Sequence, residues 1–381
     1  MRSGALRAAL LLLLLVAAAG CRSALPPDGE QKPRHRIIAY VRGRAEIDRI
    51  GAHKLTHVNY AFAKVSARGE VVLDDPDAPA HLARLQALKA KNPRLRILLS
   101  VGGWGADHFS DAALDEASRE RFAASAIELV RRYALDGIDL DWEYPGQPGP
   151  GIGFRAEDRE NFTRMLETMR RHLDRLGVER ERIGDDSYLL TIASSGGVYF
   201  EHTEMDRVHE YLDWINVMTY DFAGSWSPTT GHHAALYGDP GAPESRASAA
   251  AFVRQHLAAG IPAIKLVLGV PFYGRAWTGV RRENHGLYQP YESPGSGDYS
   301  YSSLRRDYID RNGFRRLWDP VARAPYLWNE ETATLVSYDD PVSLREKARF
   351  IEALGLGGVM YWEHSHDPEE RLLDVLYDNL K

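Results

Sequence analysis

Three acids stand two residues apart in Asp139-Leu140-Asp141-Trp142-Glu143, and Ile138, Leu140 and Trp142 alternate with them. Successive side chains of a β-strand point to opposite faces, so this spacing puts all three carboxyls on one face, in a row about 13 Å long. The other face is apolar. Like charges crowded together oppose one another's ionisation, so at least one proton stays on the row near neutral pH. A carboxylic acid that keeps its proton at that pH can donate it to a substrate. Two other readings fit the residues poorly. A calcium loop of EF-hand type needs glycine at its sixth position, which counted from Asp139 is Tyr144. A solvated strand would not carry Ile, Leu and Trp on its reverse. Asp136 is out of step with the other three acids, and a structural role at the base of the strand is expected for it.

A rigid frame must hold such a row. Apolar, β-branched runs occur at 37–41, 56–65, 96–101, 138–142, 189–193, 214–219, 264–270 and 357–362. Amphipathic stretches at 80–90, 119–134, 158–176 and 246–260 fall between several of them. Eight strands with intervening helices predict an α/β fold, a closed (β/α)8 TIM barrel. A doubly wound open sheet would show a Gly-rich turn after the first strand, whereas Tyr40-Val41-Arg42-Gly43-Arg44 holds one glycine. In a barrel the apolar face of 138–142 must meet the helices. The acids then point inward, and Glu143 falls at the C-terminal mouth, where barrel enzymes keep their chemistry. The seventh and eighth runs start about 90 residues apart, too far for a bare loop. The excess is rich in Tyr, Gly and Pro and predicts a small domain inserted at 276–337, leaving 36–275 and 338–381 for the barrel.

Composition narrows the function. The formal net charge is −6 with no basic run, which argues against a protein that grips nucleic-acid phosphates. A single cysteine, Cys21, can form neither an internal disulfide nor a thiolate metal site. No His/Cys cluster accompanies the acids, so no metal or organic cofactor is expected, and a monomer acting on small or polymeric neutral ligands is the simplest body.

The first residues read as an address. Arg2 and Arg7 precede an apolar run of twelve residues, 8–19. A membrane-spanning helix needs roughly 20, so this is a secretory signal core. Ala18-Ala19-Gly20-Cys21 resembles the lipobox of bacterial lipoproteins, with Cys21 as the acylated first residue after removal of 1–20. An ordinary secretory leader is the alternative. Removal of 1–20 takes away two positive charges and no negative ones, bringing the net charge from −6 to −8. Residues 21–35 carry three prolines and read as a tether. The protein is then an envelope lipoprotein, anchored to the outer membrane, or is secreted. Its one membrane contact is the lipid.

The sequence resembles glycoside hydrolase family 18, the chitinases and their relatives. Asp136, Asp139, Asp141 and Glu143 match the family pattern Asp-x-x-Asp-x-Asp-x-Glu. So do Ser100-Val101-Gly102-Gly103-Trp104, Met218-Thr219-Tyr220-Asp221, Gly269-Val270-Pro271-Phe272-Tyr273-Gly274-Arg275 and Gly357-Gly358-Val359-Met360-Tyr361-Trp362, in that order. The long gap resembles the subgroup with an α+β insertion. The resemblance implies cleavage of β-1,4 bonds between N-acetylglucosamine units, in chitin or chitooligosaccharides. Glu143 would protonate the glycosidic oxygen, and the substrate's own 2-acetamido oxygen would act as nucleophile. Asp141 would bind the acetamido N–H, and Asp139 would share a proton with Asp141. Water activated by Glu143 would then complete the reaction with retention. Tyr220 could hold the acetamido oxygen and Asp221 a sugar hydroxyl. Trp362 would floor the reacting sugar, and Trp104 would stack a neighbour. Arg275, Tyr273, Met218, Met360 and Tyr40 match pocket-lining positions, and Gly103 gives a side-chain-free backbone beside the ligand.

Two features depart from the pattern. Ala223 stands where many relatives carry histidine, and the turn at 41–44 lacks the aromatic stretch that many chitinases show. The alternatives are an endo-β-N-acetylglucosaminidase on other glycans and a non-catalytic, lectin-like chitin binder. Non-catalytic relatives typically lack the terminal acid, and Glu143 is present.

Overall fold

The computed structural model describes residues 35–242 and 247–381. Cys21 and the leader lie outside these residues. The strands in chain order are β1 (Arg36–Arg42), β2 (His57–Val65), β3 (Arg96–Gly102), β4 (Gly137–Asp141), β5 (Leu189–Ser194), β6 (Trp214–Val217) and β7 (Leu266–Pro271). Next come β8 (Arg275–Thr278), β9 (Phe314–Asp319), β10 (Ala324–Asn329) and β11 (Thr334–Ser337), and then β12 (Gly358–Trp362). Strands β1 to β7 and β12 form one parallel sheet, which closes through pairing of β1 with both β12 and β2. The fold is therefore a (β/α)8 barrel.

The helices cover the outside: α1 (Ala78–Ala87), α2 (Glu116–Arg132), α3 (Asp158–Glu179), α4 (Ala249–Ala258), α5 (Pro341–Leu354) and α6 (Arg371–Leu380). The first crossover has no α-helix. Two single 3-10 turns, Ile47–Arg49 and Ala52–Lys54, fill the short path from β1 to β2. The run at 214–219 ends as a strand at Val217, beyond which the Met218 N–H still donates to the Ser194 carbonyl and the Thr219 N–H folds back onto the Val217 carbonyl. The start of α5 shows how local sequence sets an end. Asp340 accepts from the N–H of Val342 and Ser343, Ser343 Oγ accepts from the Asp340 N–H, and Pro341 sits where no N–H is needed. Gly355 then ends the helix in the left-handed region at φ 63°.

Two apolar layers hold the barrel. Outside the sheet, Ile138, Leu140 and Trp142 of the β4 segment pack against the helices, with the Trp142 ring stacked on Phe109 at 5.3 Å and edge-on to Phe162 at 5.5 Å. Burying an aromatic or aliphatic side chain of this size contributes about 1.5–3 kcal/mol. Inside lie Ile38, Leu98, Trp214, Val267 and Met360. Between β7 and β12 the chain builds a second, antiparallel sheet from β8 to β11 and the two-residue strand Ser293–Pro294. Its core includes Trp277, Trp328 and Leu335, and Ala223 of the loop after β6 packs into it.

Candidate active site

Register decides what surrounds the acids. Asp139 of β4 lies opposite Ser100 of β3 and Thr191 of β5. Asp139 Oδ2 accepts from Ser100 Oγ at 2.7 Å and Tyr40 Oη at 2.8 Å, and Oδ1 from Thr191 Oγ1 at 2.6 Å and Asn216 Nδ2 at 3.1 Å. The Trp214 indole N–H donates to Asn216 Oδ1 at 3.1 Å, which turns the amide N–H toward Asp139. Burial pushes the Asp139 carboxyl up, the four donors oppose this, and it stays above the usual range.

Asp141 is one step nearer the mouth and has fewer partners. Its Oδ1 is buried without a hydrogen bond. Burial, then Glu143, then Asp139 push it well above the ordinary carboxylate range, and Lys64 opposes them. Glu143 lies two residues past the end of β4. Burial raises it to about 7, the Tyr144 hydroxyl pulls down, Asp221 pushes up and Lys64 pulls down. Both neighbouring carboxyls are thus shifted toward their protonated forms, and one of them lies at the mouth of the barrel.

Trp362, at the end of β12, is partly exposed. Phe62 stacks on it at 5.5 Å and Tyr40 tilts against it at 5.6 Å. Gly103 makes this arrangement possible. A Cβ there would lie 2.5 Å from the Phe62 ring, and its N–H donates to the Asp141 carbonyl at 2.9 Å. Tyr220 borders the same space 6.4 Å from Tyr273, its hydroxyl pushed far up by burial, then Asp141, Asp221 and Glu143. Asp221 sits in the left-handed region at φ 58°. Arg275 grips it with both arms at 2.7 Å, and Tyr273 Oη donates to it at 2.8 Å. Burial pushes Asp221 up, but His233 and the Arg275 fork bring it well below the usual carboxylate range. Arg275 also lies over the Trp226 ring at 4.8 Å.

These residues meet at one end of the barrel, but not all face open space. Tyr40 spends its hydroxyl on Asp139 and is 2% exposed, Met218 is buried, and Met360 is fully buried beneath Gly269. They support the floor. Trp104 stands out on the rim, 66% exposed, its ring 6.3 Å from Tyr144. Asp136 holds the base of β4, accepting from the Ile97 N–H and Lys89 at 2.7 Å each and from Arg182 at 3.0 Å. Peptide bonds Ala61–Phe62, Glu143–Tyr144 and Trp362–Glu363 are cis.

Sequence reasoning missed several participants. Thr191 and Asn216 carried a signal, being polar residues within otherwise apolar strand runs. His233, whose Nδ1 is 3.4 Å from Asp221, sits in a loop with no periodic pattern. Lys64 donates to the Gly102 carbonyl at 2.8 Å, and its place in the run 56–65 carries no signal of that contact.

Comparison with known proteins follows the same lines. Residues 36–367 match the model of Glycosyl hydrolases family 18. Chitinase A1 of Niallia circulans is 36% identical over 421 residues, covering 93% of this chain. The chain spans only 60% of that relative's length. Chitinase B of Serratia marcescens is 34% identical, with 83% of this chain and 74% of the relative covered. The solved structure of a family 18 N-acetylglucosaminidase from Paenibacillus barengoltzii superposes with a TM-score of 0.84 at 43% identity, covering 91% of this chain and all of that one. The chain belongs to glycoside hydrolase family 18.

Proposed function

We propose that this enzyme hydrolyses β-1,4 bonds between N-acetylglucosamine units of chitin or chitooligosaccharides by substrate-assisted, retaining catalysis. One observation carries the reading: Glu143, raised to about 7, stands beside the partner-poor Asp141 and across the barrel mouth from the partly exposed Trp362. Glu143 protonates the leaving oxygen. Asp141 takes the acetamido N–H, which gives its unpartnered oxygen a donor, and the acetamido oxygen closes on the anomeric carbon. Asp139 supports Asp141 from below. Tyr220 steadies the acetamido group, Asp221 a sugar hydroxyl, and Trp362 the apolar face of the ring. Arg275 and Tyr273 act through Asp221. The two chitinases named above support chitin-type chains, and the antiparallel sheet between β7 and β12 is read as an insertion domain at 276–337. A second reading, an N-acetylglucosaminidase, is favoured by the Paenibacillus structure at 43% identity. We also propose that the protein is an envelope lipoprotein anchored at Cys21.

Glu143→Gln tests the mechanism. Turnover of an aryl chitobioside is expected to fall roughly a thousandfold, the scale of a lost general acid, while oligosaccharide binding stays measurable by calorimetry. Retention of full activity would overturn the assignment. Efficient cleavage of a substrate lacking the 2-acetamido group would overturn the substrate-assisted route.

A further inference from the structure

The two ends of the cleft differ. Strands β12 and β4 lie four steps apart by either route round the eight-stranded ring, so Trp362 and Glu143 face each other across the mouth. A sugar resting on Trp362 with its scissile oxygen at Glu143 directs its leaving group toward β4. The exposed indole rings lie on the β3 and β6 loops: Trp104, beside Tyr144, is 66% exposed and Trp226 is 59% exposed. A pyranose ring carries its C1 and C4 oxygens at opposite ends. The rest of the chain, attached at C4, must therefore leave over the β12–β1 rim.

That rim carries a charged bridge. Glu363 directly follows Trp362, and its side chain is fully buried. Arg44, from the turn after the neighbouring β1, reaches across to it. Arg44 Nη2 donates to Glu363 Oε1 at 2.5 Å and Nε does so at 3.1 Å. Nε also donates to Ser365 Oγ at 3.0 Å, and Nη2 lies 2.8 Å from His366 Nε2. The His366 ring stands edge-on to Tyr273 at 5.7 Å, which joins the bridge to the wall that holds Asp221. Among the described residues, no exposed large apolar side chain falls at 43–56 or 363–370. A sugar arriving there meets a fixed guanidinium bridge and no stacking platform. A lone exposed ion pair is weak, but this fork is anchored on a buried carboxylate at several points.

From this we infer that Arg44 closes the glycone end of the cleft, so that the enzyme attacks chains at the non-reducing end and releases one or two sugars at a time. The inference rests on the hydrolase reading above. It makes Arg44 a specificity-determining residue, with no part in the bond-breaking step.

The test uses the full-length protein and a chitohexaose labelled at its reducing end. The expected first labelled products are the pentasaccharide and tetrasaccharide. Abundant labelled trisaccharide or disaccharide at the earliest time point would overturn the inference and leave the hydrolase reading intact. No cleavage of the hexasaccharide would overturn both. Arg44→Ala leaves Glu363 its two bonds from Ser365, at 2.5 Å and 2.9 Å, so folding is expected to survive and is checked by thermal melting. In that variant the early labelled trisaccharide is expected to rise roughly tenfold, the scale of one recovered sugar contact. Arg44→Lys, which keeps the charge without the fork, should fall between the two. A folded Arg44→Ala variant with the wild-type product profile would overturn the role of Arg44.

Discussion

Glu143 must carry its proton when substrate arrives, and its surroundings set how far up the pH scale that condition holds. With Glu143 at about 7, kcat/KM is expected to fall on the alkaline side from about pH 7, where the acid loses the proton it should donate. Lys64 opposes the rise of both Asp141 and Glu143. A positive charge favours the carboxylate, so removing it favours the acid. Lys64→Met should therefore move the alkaline limb upward, by about half a pH unit to one unit. A pH profile of kcat/KM checks this, and an unmoved or lowered limb would refute it. The acid row itself was legible because strand alternation is a local rule. Lys64 was not, since its meaning depends on reaching Gly102, 38 positions away.

At the scale of elements, β3 and β4 approach so closely at their ends that only a bare backbone fits. Gly102 lies at φ 125°, and a Cβ there would stand 2.1 Å from the Asp141 carbonyl oxygen. Gly102→Ala should destabilise the fold by about 2–4 kcal/mol, from steric overlap and a left-handed φ. It should also lower kcat, because the strand displaced is the one that carries the acids. Chemical unfolding measures the first effect, and a loss under about 0.5 kcal/mol would contradict it. The eight barrel strands were readable from β-branched runs to within about two residues, while β8 to β11 were not located. The missing helix between β1 and β2 was not, because a short crossover can satisfy its backbone with 3-10 turns and leaves no amphipathic period to read.

For the whole molecule, the address and the catalytic body make separate claims. If Cys21 carries lipid, Cys21→Ser should move the protein from the membrane fraction to the soluble fraction, with unchanged turnover of soluble oligosaccharide. Equal partitioning of the two forms would remove the anchor from the account. The barrel and its inward row of acids followed from short-range patterns, namely period-two alternation, run lengths and the order of motifs. Those patterns survive in one dimension because each depends on neighbours within a few residues. The partners that tune the row do not. Asp139 meets Tyr40 across 99 positions, and Arg44 meets Glu363 across 319. Closure of the ring places β1 beside β12, and strand register then selects which side chains touch. The number of strands leaves that register open, so the donors on Asp139 and the bridge over the rim emerged only once the sheet was closed.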